Sequence, residues 1–427
     1  MKGLRIGLCA VFAFSVFAHG VVEVWSQSML EMAAAVLLVV WAWLAYRDGG
    51  VIIHWSPLNW PILGLFAIGL AQLAFGGTVY AYLTRVELLK LAAFIILFFL
   101  AAQAFRTRED LSRLAWFLLL LGFAVSLLGI IQHFTSGGKI YWVRSLPFGG
   151  DFFGPFVNRN HFAGFVELVT PVGLALMVFR GLRRDLFPLA GLLTIVPVGA
   201  LILSGSRGGI VSFAFQVCVL ALLARSRRAV EGPRLVALGV VGLAALALIA
   251  WIGADKAIER FSTVKPGEVS MSRRWSMARG GLHVFFAHPI KGTGLGTVIA
   301  SYPPYETAYD GKVVDHVHDD YVEGLADTGV LGGICGLAFL WFLFRDARKN
   351  FWTEQGHFSR ALHAGAITAV SGLLLHSFVD FNLHIPSNAL LFLLQAYLAT
   401  SPPLPSEAGP SRQRRRTTVG VPTEVAG

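Results

Sequence analysis

The sequence predicts an all-α integral membrane protein with about twelve transmembrane helices and one large, partly helical external loop between spans 9 and 10. Of the 427 residues, 55% are hydrophobic and only 14% are charged, whereas soluble domains carry about 25% charged residues. Apolar stretches of roughly 20 residues, the length that crosses a bilayer, recur along the chain. A single long polar stretch, residues 253–327, interrupts them.

The apolar stretches define the expected elements. Lys2 and Arg5 followed by an apolar run imitate a signal peptide, but the many later spans favour an uncleaved first helix. The predicted spans are residues 4–22, 29–46, 58–75, 85–105, 112–133, 161–180, 186–203, 208–224, 234–252, 328–345, 361–379 and 386–400. The expected domains are a bundle of spans 1–9 (1–252), an external loop (253–327), spans 10–12 (328–400) and a disordered basic cytoplasmic tail (401–427).

Basic residues in the short connections orient the bundle. Most of them fall on one side of the alternating arrangement, and they include Lys2, Arg5, Arg47, Arg106, Arg108, Arg113, Arg180, Arg183, Arg184, Arg225, Arg345, Arg348, Lys349 and Arg360. Because such residues mark the cytoplasmic side, both termini are predicted to be cytoplasmic and the 253–327 loop external. The net charge of +10 comes largely from these short runs, so membrane lipids rather than nucleic acid are the expected surroundings.

The polar residues that are hardest to explain structurally collect on the external face. ATP is absent there, so a reaction needs a donor that is already activated and already in the membrane. One such residue is Arg207, in the junction SGSRGG between spans 7 and 8. Arg207 either snorkels to the interface or holds a phosphate, for which a fixed guanidinium offers bidentate geometry.

The external loop is predicted to contain an amphipathic helix. Apolar residues recur at helical spacing at Trp275, Ala278, Leu282 and Phe285, and the helix should stop at His288-Pro289. Arg273 and Arg274 in its first turn either contact lipid headgroups or bind a phosphate. Three further glycines lack the preceding strand of a dinucleotide site and are interpreted as turns: Gly292, Gly294 and Gly296.

The segment from Asp315 to Asp320 permits three interpretations. His316 and His318 beside carboxylates could bind a metal, but a third ligand with defined spacing is missing, so no metal or cofactor is expected. The segment could be a solvated acidic turn. Alternatively, one histidine is a general base, because neutral imidazole suits proton removal from a sugar hydroxyl. A short helix is predicted from Tyr321 to Gly329, with His318 at its positive end.

Two further external elements contain candidate polar groups. Asn158 and Asn160 open span 6, where one of them either caps the helix or binds a sugar or phosphate. Asp380 lies in the turn between the last two spans and either pairs with an external arginine or orients a substrate. Glu167, inside span 6, is an intramembrane carboxylate with no partner apparent from the sequence.

These motifs together resemble the O-antigen ligase and polymerase superfamily of bacterial membrane glycosyltransferases. The matching segments lie in the same order across roughly residues 150–400, and they are GPFVNRNHFAGF at 154–165, SGSRGG at 204–209, SRRW…AHPIKGTGLG at 272–296, HDDYVEGLADTGVLGG at 318–333 and DFNLHIP at 380–386. In place of the Asn that often follows the family's histidine, this chain has Asp319, which leaves the local hydrogen bonding of His318 open.

The resemblance implies transfer of a glycan from an undecaprenyl diphosphate carrier to an acceptor hydroxyl, at the periplasmic face of the inner membrane and without metal or nucleotide. It assigns catalysis to His318, Arg207 and Arg274, with Arg273 as the less favoured loop arginine. The expected substrate-binding residues are Arg273, Asn158, Asn160, His316 and Asp380.

The identity of the acceptor separates three activities within the superfamily. A polymerase joins one lipid-linked repeat to another, a ligase transfers the glycan to lipid A core, and an oligosaccharyltransferase transfers it to a protein hydroxyl. The pairing of NRNHF with DFNLHIP favours polymerisation of O-antigen or exopolysaccharide. A polytopic transporter is the alternative from another class, but it predicts an inverted repeat with broken helices near the midplane, and the sequence shows neither.

Overall fold

The computed structural model describes residues 1–50, 52–146, 151–226, 271–307, 309, 311 and 313–403. This part of the chain contains thirteen α-helices and no named strand. The helices are α1 (Lys2–Phe17), α2 (Val24–Arg47), α3 (Asn59–Ala74), α4 (Ala81–Ala104), α5 (Arg108–Thr135), α6 (Arg159–Val178), α7 (Phe187–Ser204), α8 (Arg207–Ser226), α9 (Met271–Ala287), α10 (Val298–Ser301), α11 (Asp320–Thr353), α12 (His357–His376) and α13 (Pro386–Thr400).

The helical membrane fold predicted from the sequence is confirmed. Eleven of the twelve predicted spans coincide with α1–α8 and α11–α13, and the ninth, residues 234–252, lies outside the described residues. Within the described residues, eight helices are long and apolar enough to cross a membrane. The helices α1, α3 and α13 are shorter, at 16, 16 and 15 residues.

Helix α6 forms the centre of the bundle. Every residue from His161 to Val178 is buried, and α5, α7, α8, α12 and α13 all pack against the helix. Helix α12 approaches closely at Gly365, where an added Cβ would lie 2.8 Å from Val172 Cα and 3.0 Å from Pro171 O. These contacts are with backbone atoms, so glycine sets the spacing of the two helices.

The connections between helices lie at two opposite ends of the bundle. At one end Arg5 forms an ion pair with Asp110, and the Tyr397 hydroxyl donates to Phe105 O at 2.5 Å. These contacts join the start of α1, the α4–α5 connection and the end of α13. We call this the basic end, because the arginines and lysines of the short connections flank it.

The opposite end, which we call the site end, contacts the segment that follows α9. His19 Nδ1 lies 2.9 Å from Pro155 O, and Val79 N donates to Thr293 O at 2.7 Å. Gln72 on α3 donates to the carbonyl oxygens of Lys291 and Asp327 at 2.6 and 2.8 Å. The segment after α9 is therefore fixed to the turns of the bundle by hydrogen bonds.

Local features of this segment agree with the sequence predictions. Helix α9 ends at Ala287, directly before His288-Pro289. Gly292, Gly294 and Gly296 all have positive φ, as expected for turns. Gly329, with φ 63°, interrupts α11 where the short helix was predicted to end.

We expect replacement of Gly365 by leucine to destabilise the bundle, since the new side chain would collide with the α6 backbone. Overpacking of this kind costs about 1–3 kcal/mol. Thermal melting in detergent micelles should show a lower midpoint for Gly365→Leu. Gly336→Leu is the matched control, because an added Cβ at Gly336 meets nothing within 4 Å. Equal midpoints for the two variants would contradict the close packing described here.

Candidate active site

A fully buried carboxylate, Asp380, lies at the centre of the site end. It follows α12, in the turn that leads to α13, and its side chain has no exposed surface. Arg274 on α9 places Nη1 3.4 Å from Asp380 Oδ2 and also donates to Val379 O. Asp380 therefore pairs with Arg274, as in one of the two alternatives that the sequence left open for this residue.

Two imidazoles approach the other oxygen of the same carboxylate. His318 Nδ1 lies 3.4 Å from Asp380 Oδ1, and His161 Nε2 lies 3.7 Å from it. Burial alone would raise the pKa of the Asp380 carboxyl. The Arg274 charge and the two histidines outweigh that effect and hold the pKa well below its usual value. Asp380 is consequently an anion throughout the neutral pH range.

A chain of hydrogen bonds connects Asp380 to the start of α8. Asn160 Nδ2 donates to Asp380 Oδ2 at 2.6 Å, and Ser206 Oγ donates to Asn160 Oδ1 at 2.8 Å. Arg207 is the first residue of α8, directly after Ser206. The adjacent Gly208 packs against His376, whose Nε2 would lie 2.8 Å from an added Cβ. The structure thus brings the backbone of Arg207 beside the Asp380 cluster.

The backbone at His318 has an uncommon conformation. Its φ is 55°, in the left-handed region that residues other than glycine rarely adopt, and such residues concentrate at functional sites. Asp319 caps α11, because its Oδ1 accepts from the backbone N–H groups of Tyr321 and Val322, both at 3.0 Å. The side-chain oxygen of an asparagine could accept the same two bonds, so the departure from the family pattern preserves the cap.

Two of the expected substrate-binding residues have partners within the protein. Arg273 Nη2 lies 2.6 Å from Glu306 Oε1, and both side chains are largely buried. Asn158 caps α6 by accepting from Asn160 N at 2.8 Å, which was the structural alternative for this residue. Of the two adjacent arginines, Arg274 contacts Asp380 and Arg273 contacts Glu306.

A second cluster lies next to the first and contains His316. His316 Nδ1 is 2.6 Å from Glu323 Oε1, and His384 Nε2 is 3.3 Å from the same oxygen. His384 Nδ1 is 2.7 Å from Asp320 Oδ1. The donor atoms of His316, Glu323 and His384 all lie within 4.8 Å of one another. Of the two histidines that the sequence pattern paired as possible metal ligands, only His316 belongs to this set.

The ionisation of His384 depends on these carboxylates. Burial would lower its pKa, but Glu323 and Asp320 stabilise the imidazolium and raise the pKa to about 10. His384 is therefore a cation at neutral pH, and it bridges the carboxylates of Asp320 and Glu323. Phe381 separates the two clusters, with its ring centroid 4.3 Å from that of His316 and 4.8 Å from that of His318.

Sequence reasoning missed the partners of several of these groups. Glu167 pairs with His376, at 2.8 Å between Oε1 and Nδ1, and both side chains are fully buried. His161 was passed over although it lies within the NRNHF motif, where its position beside Asn160 was the available signal. Glu323 was passed over because it lies on an otherwise ordinary amphipathic pattern.

A comparison with known protein families agrees with the sequence motifs. Residues 192–337 match the family model described as O-antigen ligase. This region covers about a third of the 427 residues and includes Arg207, Arg274 and His318. No curated protein matches the chain significantly.

We expect Arg273 and Glu306 to stabilise the protein as a pair. Arg273→Ala and Glu306→Ala should each lower the melting midpoint in detergent, and the double variant should lose little more than the worse single variant. Contacting residues of this kind couple by about 0.5–3 kcal/mol. The control is Arg274→Ala combined with Glu306→Ala, whose effects should add. Additive effects for Arg273 and Glu306 would show that their contact contributes no stability.

Proposed function

Residues 192–337 match the O-antigen ligase family model, and we propose that the chain is a membrane glycosyltransferase of the O-antigen ligase and polymerase superfamily. It transfers a glycan from an undecaprenyl diphosphate carrier to an acceptor hydroxyl at the periplasmic face of the bacterial inner membrane. The acceptor we favour is a second lipid-linked repeat unit, so that the product is polymerised O-antigen or exopolysaccharide. Transfer to lipid A core or to a protein hydroxyl is the alternative.

The main support for this proposal is that side chains from three segments meet at Asp380. Arg274 from α9, His318 from the segment before α11 and Asn160 from α6 all contact one buried carboxylate. A guanidinium suits the departing diphosphate, and an imidazole suits the attacking hydroxyl. Arg207, the first residue of α8, supplies a further guanidinium. The residue before it, Ser206, donates a hydrogen bond to Asn160.

The approach of Asp380 to His318 supports the role of His318 as the base. A carboxylate beside Nδ1 favours the tautomer that carries its proton on Nδ1, which leaves the lone pair on Nε2. In the proposed step, Nε2 removes the proton from the acceptor hydroxyl as the oxygen bonds to the anomeric carbon. The bond from that carbon to the diphosphate oxygen breaks, and the diphosphate leaves with the electron pair.

Arg207 and Arg274 are assigned to the leaving group. The Asp380 carboxylate neutralises one of the two guanidinium charges. About one net positive charge then remains to stabilise the diphosphate. Cationic groups aimed at charge that develops in the transition state are the usual source of the largest rate effects. The proposed step uses these side chains and no bound metal.

The distribution of charge supports a periplasmic site. The connections at the basic end hold most of the arginines and lysines, which mark the cytoplasmic side. The Asp380 cluster lies at the opposite end, where Gly20 of the α1–α2 connection packs against Phe156 and Ile385. The lipid carriers of the donor and of the favoured acceptor would therefore lie in the membrane, with their glycans at its periplasmic face.

We expect Arg274→Ala and Arg207→Ala to lower the rate of glycan transfer by about a hundredfold or more, by analogy with loss of one oxyanion-hole donor. The measurement is transfer from a labelled lipid-linked glycan by purified protein. Arg279→Ala is the matched control, because Arg279 lies on the same helix and is exposed. Product formation at the wild-type rate by the Arg274 or Arg207 variant would remove that residue from the mechanism.

The glycans of a deletion strain should identify the acceptor. Loss of a polymerase leaves single repeats attached to lipid A core, and this is the profile we expect. Loss of a ligase instead leaves long chains on the lipid carrier, which would establish the alternative. An unchanged glycan profile in a strain that has no second copy of the gene would contradict both activities.

A further inference from the structure

The second cluster has the composition of a transition-metal site. We propose that His316, Glu323 and His384 bind one divalent ion, for which Zn²⁺ is the best fit. Two imidazoles and one carboxylate are a known zinc donor set, whereas Mg²⁺ and Ca²⁺ prefer sites made of oxygen ligands alone.

The distances suit such an ion. In a tetrahedral site with bonds of about 2.0–2.1 Å, neighbouring ligand atoms lie about 3.3 Å apart. His384 Nε2 and Glu323 Oε1 are 3.3 Å apart. His316 Nδ1 is 2.6 Å from Glu323 Oε1, so this pair would separate by less than 1 Å when both atoms bind the metal. Three protein ligands leave a fourth position for water, and the side chains of His316 and His384 are 28% and 21% exposed.

Contacts around the ligands hold them in place for metal binding. Asp320 Oδ1 is 2.7 Å from His384 Nδ1, and Asp320 Oδ2 accepts from Leu383 N at 3.0 Å. A carboxylate on the far nitrogen of a histidine fixes the ring and directs the other nitrogen to the metal. Glu323 is fixed in turn, because its Oε2 accepts from Val317 N at 3.0 Å.

The bound ion would connect three separate parts of the site end. His316 lies before α11, Glu323 lies in its first turn, and His384 ends the short helical turn Asn382–His384. Metal binding would therefore fix the backbone that carries His318, two residues from His316. The metal site itself does not depend on the proposed glycan transfer, and its test uses binding alone.

Titration of the full-length protein in detergent, after removal of metals, tests this inference. Wild-type protein should bind one equivalent of Co²⁺ with visible absorption typical of low-symmetry four-coordinate cobalt, and Zn²⁺ should displace it. His316→Ala, His384→Ala and Glu323→Gln should each lower the affinity at least tenfold. Asp320→Asn should lower the Co²⁺ affinity about 10–100-fold without changing the absorption spectrum, because Asp320 contacts the ligand His384 and not the metal itself.

His283→Ala is the control, because His283 is an exposed histidine of α9 outside the cluster. It should bind Co²⁺ as the wild type does. Equal binding by the control and by the three ligand variants would mean adventitious surface binding and would overturn the proposal. Failure of folded wild-type protein to bind a saturable equivalent would also overturn it, and would identify the cluster as a hydrogen-bonded network of histidines and carboxylates. The wild-type titration decides this even if a variant fails to fold.

Discussion

The site end depends on one buried charge, the carboxylate of Asp380. Taking a carboxylate out of water costs several kcal/mol unless other groups compensate it. Arg274, His318 and Asn160 supply that compensation, and they come from three different segments of the chain. Because each of these groups is held by the same anion, their relative positions are fixed together. Together with the bond from Arg274 to Val379 O, this charge joins α9 to the end of α12.

The interior of the bundle determines where Asp380 lies. Helix α12 packs directly on the backbone of α6 at Gly365, and Glu167 of α6 pairs with His376 at the last turn of α12. The His376 ring packs directly against Gly208, so that no space remains there for a side chain. The start of α8 therefore lies against the last turn of α12. Close helix packing at small residues, together with a buried polar pair, is a common way to fix helices in a membrane.

The sequence allowed prediction of the elements and of the segments that meet, but not of most contacts between side chains. Hydrophobic length revealed the spans, and the arginine and histidine motifs pointed to Arg207, Arg274 and His318. Adjacent residues on a helix point about 100° apart, so the chain alone could not decide between Arg273 and Arg274. The pairing of Glu167 with His376 joins residues 209 positions apart, and no local pattern encodes such a contact.

The turn from Asp380 to His384 belongs to both clusters at the site end. Asp380 contacts Arg274 and His318, which are assigned to glycan transfer. His384 contacts Glu323 and Asp320. The Phe381 ring lies between them, in contact with the rings of His316 and His318. Movement of this turn would therefore disturb both sets of contacts at once. The geometry of the whole site therefore depends on the short connection before α13, and not on the long segment between α8 and α11 alone.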